Sequence, residues 1–233
     1  MALSPDRLAL VNGPDADGPD ADGLYKAVVP LIPLTADSWP DRLAGAPPAV
    51  RAWAEKGAAK PFAAKPGSHL VLPGDNGPAA VLVGCSDPSR PWDWGGLPFA
   101  LAEGTYRIDG SLAPDVANRA ALGWALGAYR FEGYKAADRA PARLVWPEGA
   151  DRDVVTATAL SVFLARDLVN RPANHMGPAE LAAAGEELAQ DFGATYRVVV
   201  GDDLLKQGWP AVHAVGRASP REPRLIELEW GAP

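Results

Sequence analysis

The chain has 233 residues, a net charge of −7, 48% apolar and 22% charged residues, three histidines and one cysteine. That balance is ordinary for a soluble globular protein with room for one large or two small domains. It excludes a disulfide scaffold, and no apolar run approaches the roughly 18 residues that cross a bilayer.

Charge is spread evenly, −3 over residues 1–150 and −4 over 151–233. Neither part has the basic surplus that nucleic-acid binding calls for, so that class of partner is not expected. The N-terminus lacks a basic start followed by an apolar core, so no secretory signal is read and a cytoplasmic location is expected.

Residues 7–11 (RLALV) and 24–34 (LYKAVVPLIPL) are expected to be strands. Between them PDADG occurs twice, but its Asp15, Asp17, Asp20 and Asp22 fail the calcium-loop spacing, since position 6 counted from Asp15 is Asp20 instead of Gly. A solvated loop is expected there. Residues 49–59 read as a helix that ends before Pro61. Residues 69–73 and 79–84 are β-rich runs separated by GDNGP, a hairpin signal because Asn and Gly accept positive φ. Cys85 follows with no local His to activate it, so it reads as a small buried residue at a strand end. Trp92 and Trp94 read as indoles plugging a core. Gly123 and Gly127, four apart in a helical pattern over 115–130, would let another backbone approach closely. Tyr129, Phe131 and Tyr134 form an aromatic corner around Arg130, and residues 143–146 (RLVW) make another short strand. Strands interleaved with helices argue for an α/β domain up to about residue 150.

Residues 151–169 contain no Gly or Pro and read as one long helix. Val154, Ala157, Ser161, Leu164, Ala165 and Leu168 mark one face, and Val155, Ala159, Val162 and Phe163 make the other apolar as well. Such a helix is expected to be covered on more than one side. Pro172 stops it, a second helix starts at Pro178 and ends near Gly193, and residues 194–200, 212–215 and 225–230 read as strands around a short helix at 203–207.

Three stretches carry a resemblance: 164–181 (LARDLVNRPANHMGPAEL), 125–136 (ALGAYRFEGYKA) and 210–228 (PAVHAVGRASPREPRLIEL). The chain resembles the leucyl (cytosol) aminopeptidase family, which joins two domains through a long helix ending in an Asn-x-Pro-x-Asn corner, here Asn170, Pro172 and Asn174. The resemblance implies an α/β fold with three parts. Residues 1–150 would form an N-terminal α/β sandwich similar to macro domains, 151–176 the connecting helix and corner, and 177–233 the incomplete opening of a catalytic domain. It also implies a parent enzyme that removes N-terminal residues from peptides, uses two divalent ions (Mn or Zn) and assembles as a homo-oligomer, a hexamer in the family. Two such ions polarise the scissile carbonyl and generate a hydroxide nucleophile.

The family's ligand motifs, Asn-Thr-Asp-Ala-Glu-Gly-Arg and Lys-Gly-x-x-Phe-Asp, do not occur in the 233 residues. No catalytic or metal residue is therefore carried over, the binding residues are unknown, and this stretch alone is expected to bind no metal and to be inactive. His69, His175 and His213 match no metal spacing. His175 reads as a loop hydrogen-bonder and His213 as a core residue of an apolar strand. Two other readings remain: a free-standing macro-like module for a nucleotide or ADP-ribose, with Gly95-Gly96 as its only phosphate-loop candidate, or a DNA-binding accessory domain.

Overall fold

The computed structural model describes residues 4–12, 28–56, 61–75 and 77–231. The duplicated PDADG segment lies outside them. The chain divides into two compact units, with the division after Phe163. Each is taken separately.

The first unit opens with a 3-10 turn at Pro5–Leu8, followed by β1 (Leu10–Val11). The strand expected over 7–11 is thus mostly turn. Pro5 starts the turn and Ser4 caps it through Asp6 N–H, which leaves only two residues to pair. β2 (Val29–Leu34), α1 (Trp39–Ala44) and α2 (Pro48–Lys56) follow. β3 (His69–Gly74) and β4 (Gly77–Gly84) form the expected antiparallel hairpin. Next come α3 (Trp92–Gly95), α4 (Leu97–Ala100), β5 (Thr105–Ile108), α5 (Pro114–Ala128), β6 (Arg143–Val145) and α6 (Arg152–Asn170), whose last turns belong to the second unit.

The six strands make one sheet in the order β1-β6-β5-β2-β4-β3. Every neighbouring pair is parallel except β3 with β4. The fold is therefore α/β with a mostly parallel sheet. β4 shows why the sheet needs cover on both faces. Val81 and Val83 join a core with Leu31, Trp94, Leu97, Trp124 and Leu144, whereas Leu82 joins Leu34, Trp39, Ala54, Phe62 and Leu70. Alternate side chains of one strand thus feed two cores. β2 lies inside the sheet although Pro30 and Pro33 each withhold an amide donor from its ladders. At the outer edges, β1 is two residues long, while β3 carries Pro73 and its Val71 carbonyl accepts the Trp53 indole N–H at 2.9 Å.

α5 starts at Pro114 and packs against α3 and α4. Its two interior glycines mark the tightest approach. A Cβ on Gly123 would meet Pro91 O at 2.0 Å, and one on Gly127 would meet Gly95 O at 1.9 Å. The spacing read from sequence is thus explained by backbone lying on backbone. Trp94 and Trp124 fill the space beside this contact, each fully buried, with indole N–H groups donating to Pro88 O at 2.9 Å and Ala142 O at 3.2 Å. Trp92, expected as a second plug, is 68% exposed.

α6 is capped by Asp151, whose Oδ1 accepts Val154 N–H at 3.0 Å; Asn118 of α5 holds the Asp151 amide at 2.6 Å. Its buried stripe is Val155, Ala159, Leu160 and Phe163, with Phe163 against Tyr129 at 5.1 Å between ring centroids. Within this chain the other apolar face is left more open. Val154 is 55% exposed, and Thr158 and Ser161 return their hydroxyls to the carbonyls of Val154 and Ala157, each at 2.7 Å. Those hydroxyls satisfy themselves on the helix, so that face carries no demand for burial within this chain.

The second unit adds α7 (Pro178–Phe192), β7 (Thr195–Val200), α8 (Asp203–Lys206), α9 (Pro210–Gly216) and β8 (Arg224–Glu229). β7 and β8 pair antiparallel along their whole length, from Thr195↔Glu229 to Val200↔Arg224. α7 lies on them, with Tyr196 OH donating to Ala182 O at 2.9 Å and Trp230 Nε1 to Phe192 O at 3.0 Å. Gly193 ends α7 in the left-handed conformation, as its position predicts. The strand expected over 212–215 is instead helix α9. Pro210 sits in its first turn, and that start signal outweighs the short Val-x-x-Val pattern.

Gly127→Ala tests the helix contact. A methyl there gains helix propensity worth about 1 kcal/mol but must displace a backbone carbonyl. A net loss of about 2–4 kcal/mol is expected in denaturant unfolding, against little change for Gly96→Ala, which has open space and an ordinary helical φ of −80°.

Candidate functional site

Three constellations stand out, two in the second unit and one in the first. In the second unit, α6 ends at Asn170 and the chain turns through Pro172. The Pro172 carbonyl accepts both His175 N–H at 2.8 Å and Met176 N–H at 2.9 Å, which closes the corner. α7 then starts at once, because Glu180 Oε2 accepts the Gly177 amide at 3.0 Å. Those two hydrogen bonds to Glu180's carboxylate, from its own amide and from Gly177, hold its pKa below the ordinary carboxylate value.

The corner has a partner that sequence reading did not foresee. The Arg221 guanidinium donates to Ala173 O at 3.0 Å and Asn174 O at 2.6 Å, and lies 3.6 Å from Glu180. A Cβ on Gly177 would meet Arg221 Nη1 at 2.2 Å, so the glycine makes room for the arginine. Two of the stretches that carry the resemblance therefore bind one another.

On the same unit a cleft is lined by Asp202, Asp203, His213, Arg217 and Glu222. His213, expected in a strand core, sits on α9 with Nε2 3.1 Å from Asp202 Oδ1. Arg217 places a cation in the same cleft. Among the described residues no group of three or more His, Cys, Asp or Glu could hold a metal ion.

In the first unit a cavity of about 470 Å³ is lined by Asp6, Arg7, Phe99, Tyr129, Arg130, Glu132, Arg139 and Phe163. It lies at the amino ends of β1 and β6, since Arg7 precedes β1 and Pro141 precedes β6. In open parallel sheets nucleotides bind at the carboxyl ends, the opposite edge. Arg139 is fixed by donating to Leu101 O at 2.7 Å and to Phe99 O. The Phe99 ring lies beneath the Arg130 guanidinium, 4.1 Å from centroid to Cζ, while Arg7 lies 5.2 Å from the Phe163 ring. The aromatic corner is thus divided. Tyr129 packs on Phe163, and Phe131 pairs with Tyr134 at 5.7 Å.

The other residues considered from sequence are structural. Cys85 is buried, and burial, reinforced by the negative charge of Asp93, pushes its thiol up to about 12. It is no nucleophile near neutral pH. Asp93 itself is buried but satisfied: Ser86 donates its amide at 2.7 Å and its hydroxyl at 2.8 Å, and Asp87 its amide at 3.2 Å. Gly95 belongs to the helix contact, and Gly96 joins helices of only four residues each, which offer no phosphate-binding terminus. His69 sits in β3, its pKa lowered by burial. No described helix is long and apolar enough to cross a membrane.

Comparison with known proteins matches this arrangement part by part. Residues 29–147 match the M17 aminopeptidase N-terminal domain, and residues 163–233 match the catalytic domain of the cytosol aminopeptidase family. The chain belongs to the cytosol aminopeptidase family. A probable cytosol aminopeptidase of Aeropyrum pernix is 32% identical over 184 residues, covering 73% of this chain and 37% of that protein. One from Rhizobium meliloti is 35% identical over 176 residues, covering 64% and 35%. Among solved structures, the cytosol aminopeptidase of Coxiella burnetii superposes with a TM-score of 0.81 at 32% identity, over 96% of this chain and 46% of that one. The bottromycin maturation enzyme BotP in complex with Mn gives 0.65 at 27% identity, over 89% and 46%. This cytosol aminopeptidase family member thus spans little more than a third of the curated relatives' length and under half of the solved chains.

Arg221→Ala should release the corner. Charge-assisted bonds to backbone carbonyls contribute about 1.5–3 kcal/mol when intact, and partial exposure places this loss at the lower end. Hydrogen exchange at the His175 and Met176 amides should accelerate while the β4 amides stay protected.

Proposed function

We propose that residues 1–233 are the N-terminal, non-catalytic part of a metal-dependent leucyl aminopeptidase, serving assembly and access of substrate. The parent removes N-terminal residues from peptides in the cytoplasm. The observation that carries this reading is the ordered match of both family domains to a sequence without any of the family's ligand motifs. The parts are 1–150 as the macro-like domain, 151–176 as connecting helix and corner, and 177–233 as the opening of the catalytic domain. The two divalent ions of the parent, Mn or Zn, would be held by residues other than these. The similarity to a relative solved with Mn supports that choice of metal. No observation favours the nucleotide-binding or DNA-binding alternatives, and the cavity in the first unit lies at the wrong sheet edge for the former.

Assembly is supported by the apolar surface. Val215, Val169, Trp230 and Phe192 are 85%, 82%, 77% and 56% exposed on the second unit alone. Where such side chains adjoin in one patch, they mark a surface that other protein covers. Purified 233-residue chain is expected to self-associate, read as a concentration-dependent mass by light scattering. A monomer at high concentration would count against the assembly role.

The chain is also expected not to hydrolyse leucine p-nitroanilide or Leu-Gly, with Mn²⁺ or Zn²⁺ added. Metal-dependent turnover that co-purifies with the 233-residue chain and survives contaminant controls would overturn the non-catalytic assignment.

A further inference from the structure

The cavity in the first unit is not used by the function proposed above, yet its lining is chemically specific. The Arg130 guanidinium lies over Phe99, its Cζ 4.1 Å from the ring centroid, and has no carboxylate partner among the described residues. Stacking fixes the plane of a guanidinium and leaves its N–H edge available for a bidentate oxyanion. Arg139 lies 5.9 Å from the same ring and is held there by its bonds to the Leu101 and Phe99 carbonyls. Two residues along the chain, Glu132 also lines the cavity, and its carboxylate has no partner among the described residues. Opposite charges that share one cavity without pairing to each other leave a cation site beside an anion site. The third element is aromatic: Tyr129, half-buried, lines the same space and is backed by the buried Phe163, whose ring is tilted 53° to it at 5.1 Å.

A carboxylate site, an ammonium site and an aromatic wall in one cavity describe a zwitterion with a large apolar side chain. We propose that this cavity binds a free α-amino acid, with Arg130 on its carboxylate, Glu132 on its ammonium and the Tyr129 ring on its side chain. A simple anion would leave Glu132 without purpose and adverse, and an apolar ligand would strand Arg130. The cavity volume of about 470 Å³ falls in the range of small-molecule pockets. Binding stands on the lining alone. Its meaning rests on the aminopeptidase reading, because a free amino acid is the product class of that reaction and the domain would then sense product.

Titration calorimetry on the 233-residue chain separates the three demands without any activity measurement. L-phenylalanine should bind. Glycine lacks the ring, 3-phenylpropionate the ammonium and L-phenylalaninamide the carboxylate, and each should bind at least about tenfold more weakly. Glu132→Gln should weaken L-phenylalanine by about tenfold while leaving 3-phenylpropionate unchanged, and Arg130→Gln should weaken both by about tenfold or more. Thermal unfolding of each variant checks that the fold is intact, and Glu132, exposed on a loop, carries the test should Arg130→Gln unfold. Equal affinity for L-phenylalanine and 3-phenylpropionate would make this a plain anion pocket and overturn the proposal. So would the absence of any L-phenylalanine signal at millimolar concentration, or variants that bind as the parent does.

Discussion

One face of the sheet depends on how closely α5 can approach residues 91–96. Two carbonyls, those of Pro91 and Gly95, occupy the positions that side chains on Gly123 and Gly127 would need. Because the backbones touch, the remaining core has to be filled from either side of the contact, and two tryptophans do so with their indole N–H groups satisfied by carbonyls. The helix then sits low enough for Asn118 to reach the Asp151 amide, which sets where α6 begins. A steric allowance four residues apart thus propagates to the start of the longest helix in the chain.

The second unit is organised by charge and not by close approach. Arg221 reads two carbonyls of the Asn/Pro corner and approaches Glu180, which itself caps α7. One guanidinium therefore couples the end of α6, the beginning of α7 and the segment that leads into β8. Such a node replaces the apolar core that a unit this small has little area to build.

Sequence reading succeeded where local chemistry decides. The β3–β4 hairpin, the Gly123/Gly127 approach, the cap at Gly193 and the extent of α6 each follow from a few neighbouring residues whose φ preferences or periodicity admit one answer. It failed where two local signals compete. Val212 and Val215 suggested a strand, while Pro210 signalled a helix start and prevailed. Leu8 to Val11 looked continuous, yet Ser4 and Pro5 had already committed the chain to a turn. Of the long helix, the pattern showed two apolar faces but not which would be buried, since that depends on what is packed there. The cavity was illegible for a different reason: its lining comes from residues 6–7, 99, 128–141 and 163, which no local motif connects. Arg130 and the aromatic corner were visible, but their joint enclosure with Phe163 was not.

The rims of the six-stranded sheet bear on how copies of this chain can meet. An open sheet ordinarily invites a neighbour's strand to lengthen it. Here one border strand offers only Leu10 and Val11, too short a template to hold another chain in register. The other has Pro73 in its path and an indole already spent on the Val71 carbonyl. Among the described residues, both borders are poor templates for strand addition. Such borders favour contacts made side chain to side chain across helices and loops, and those can be tuned residue by residue and undone without melting the sheet.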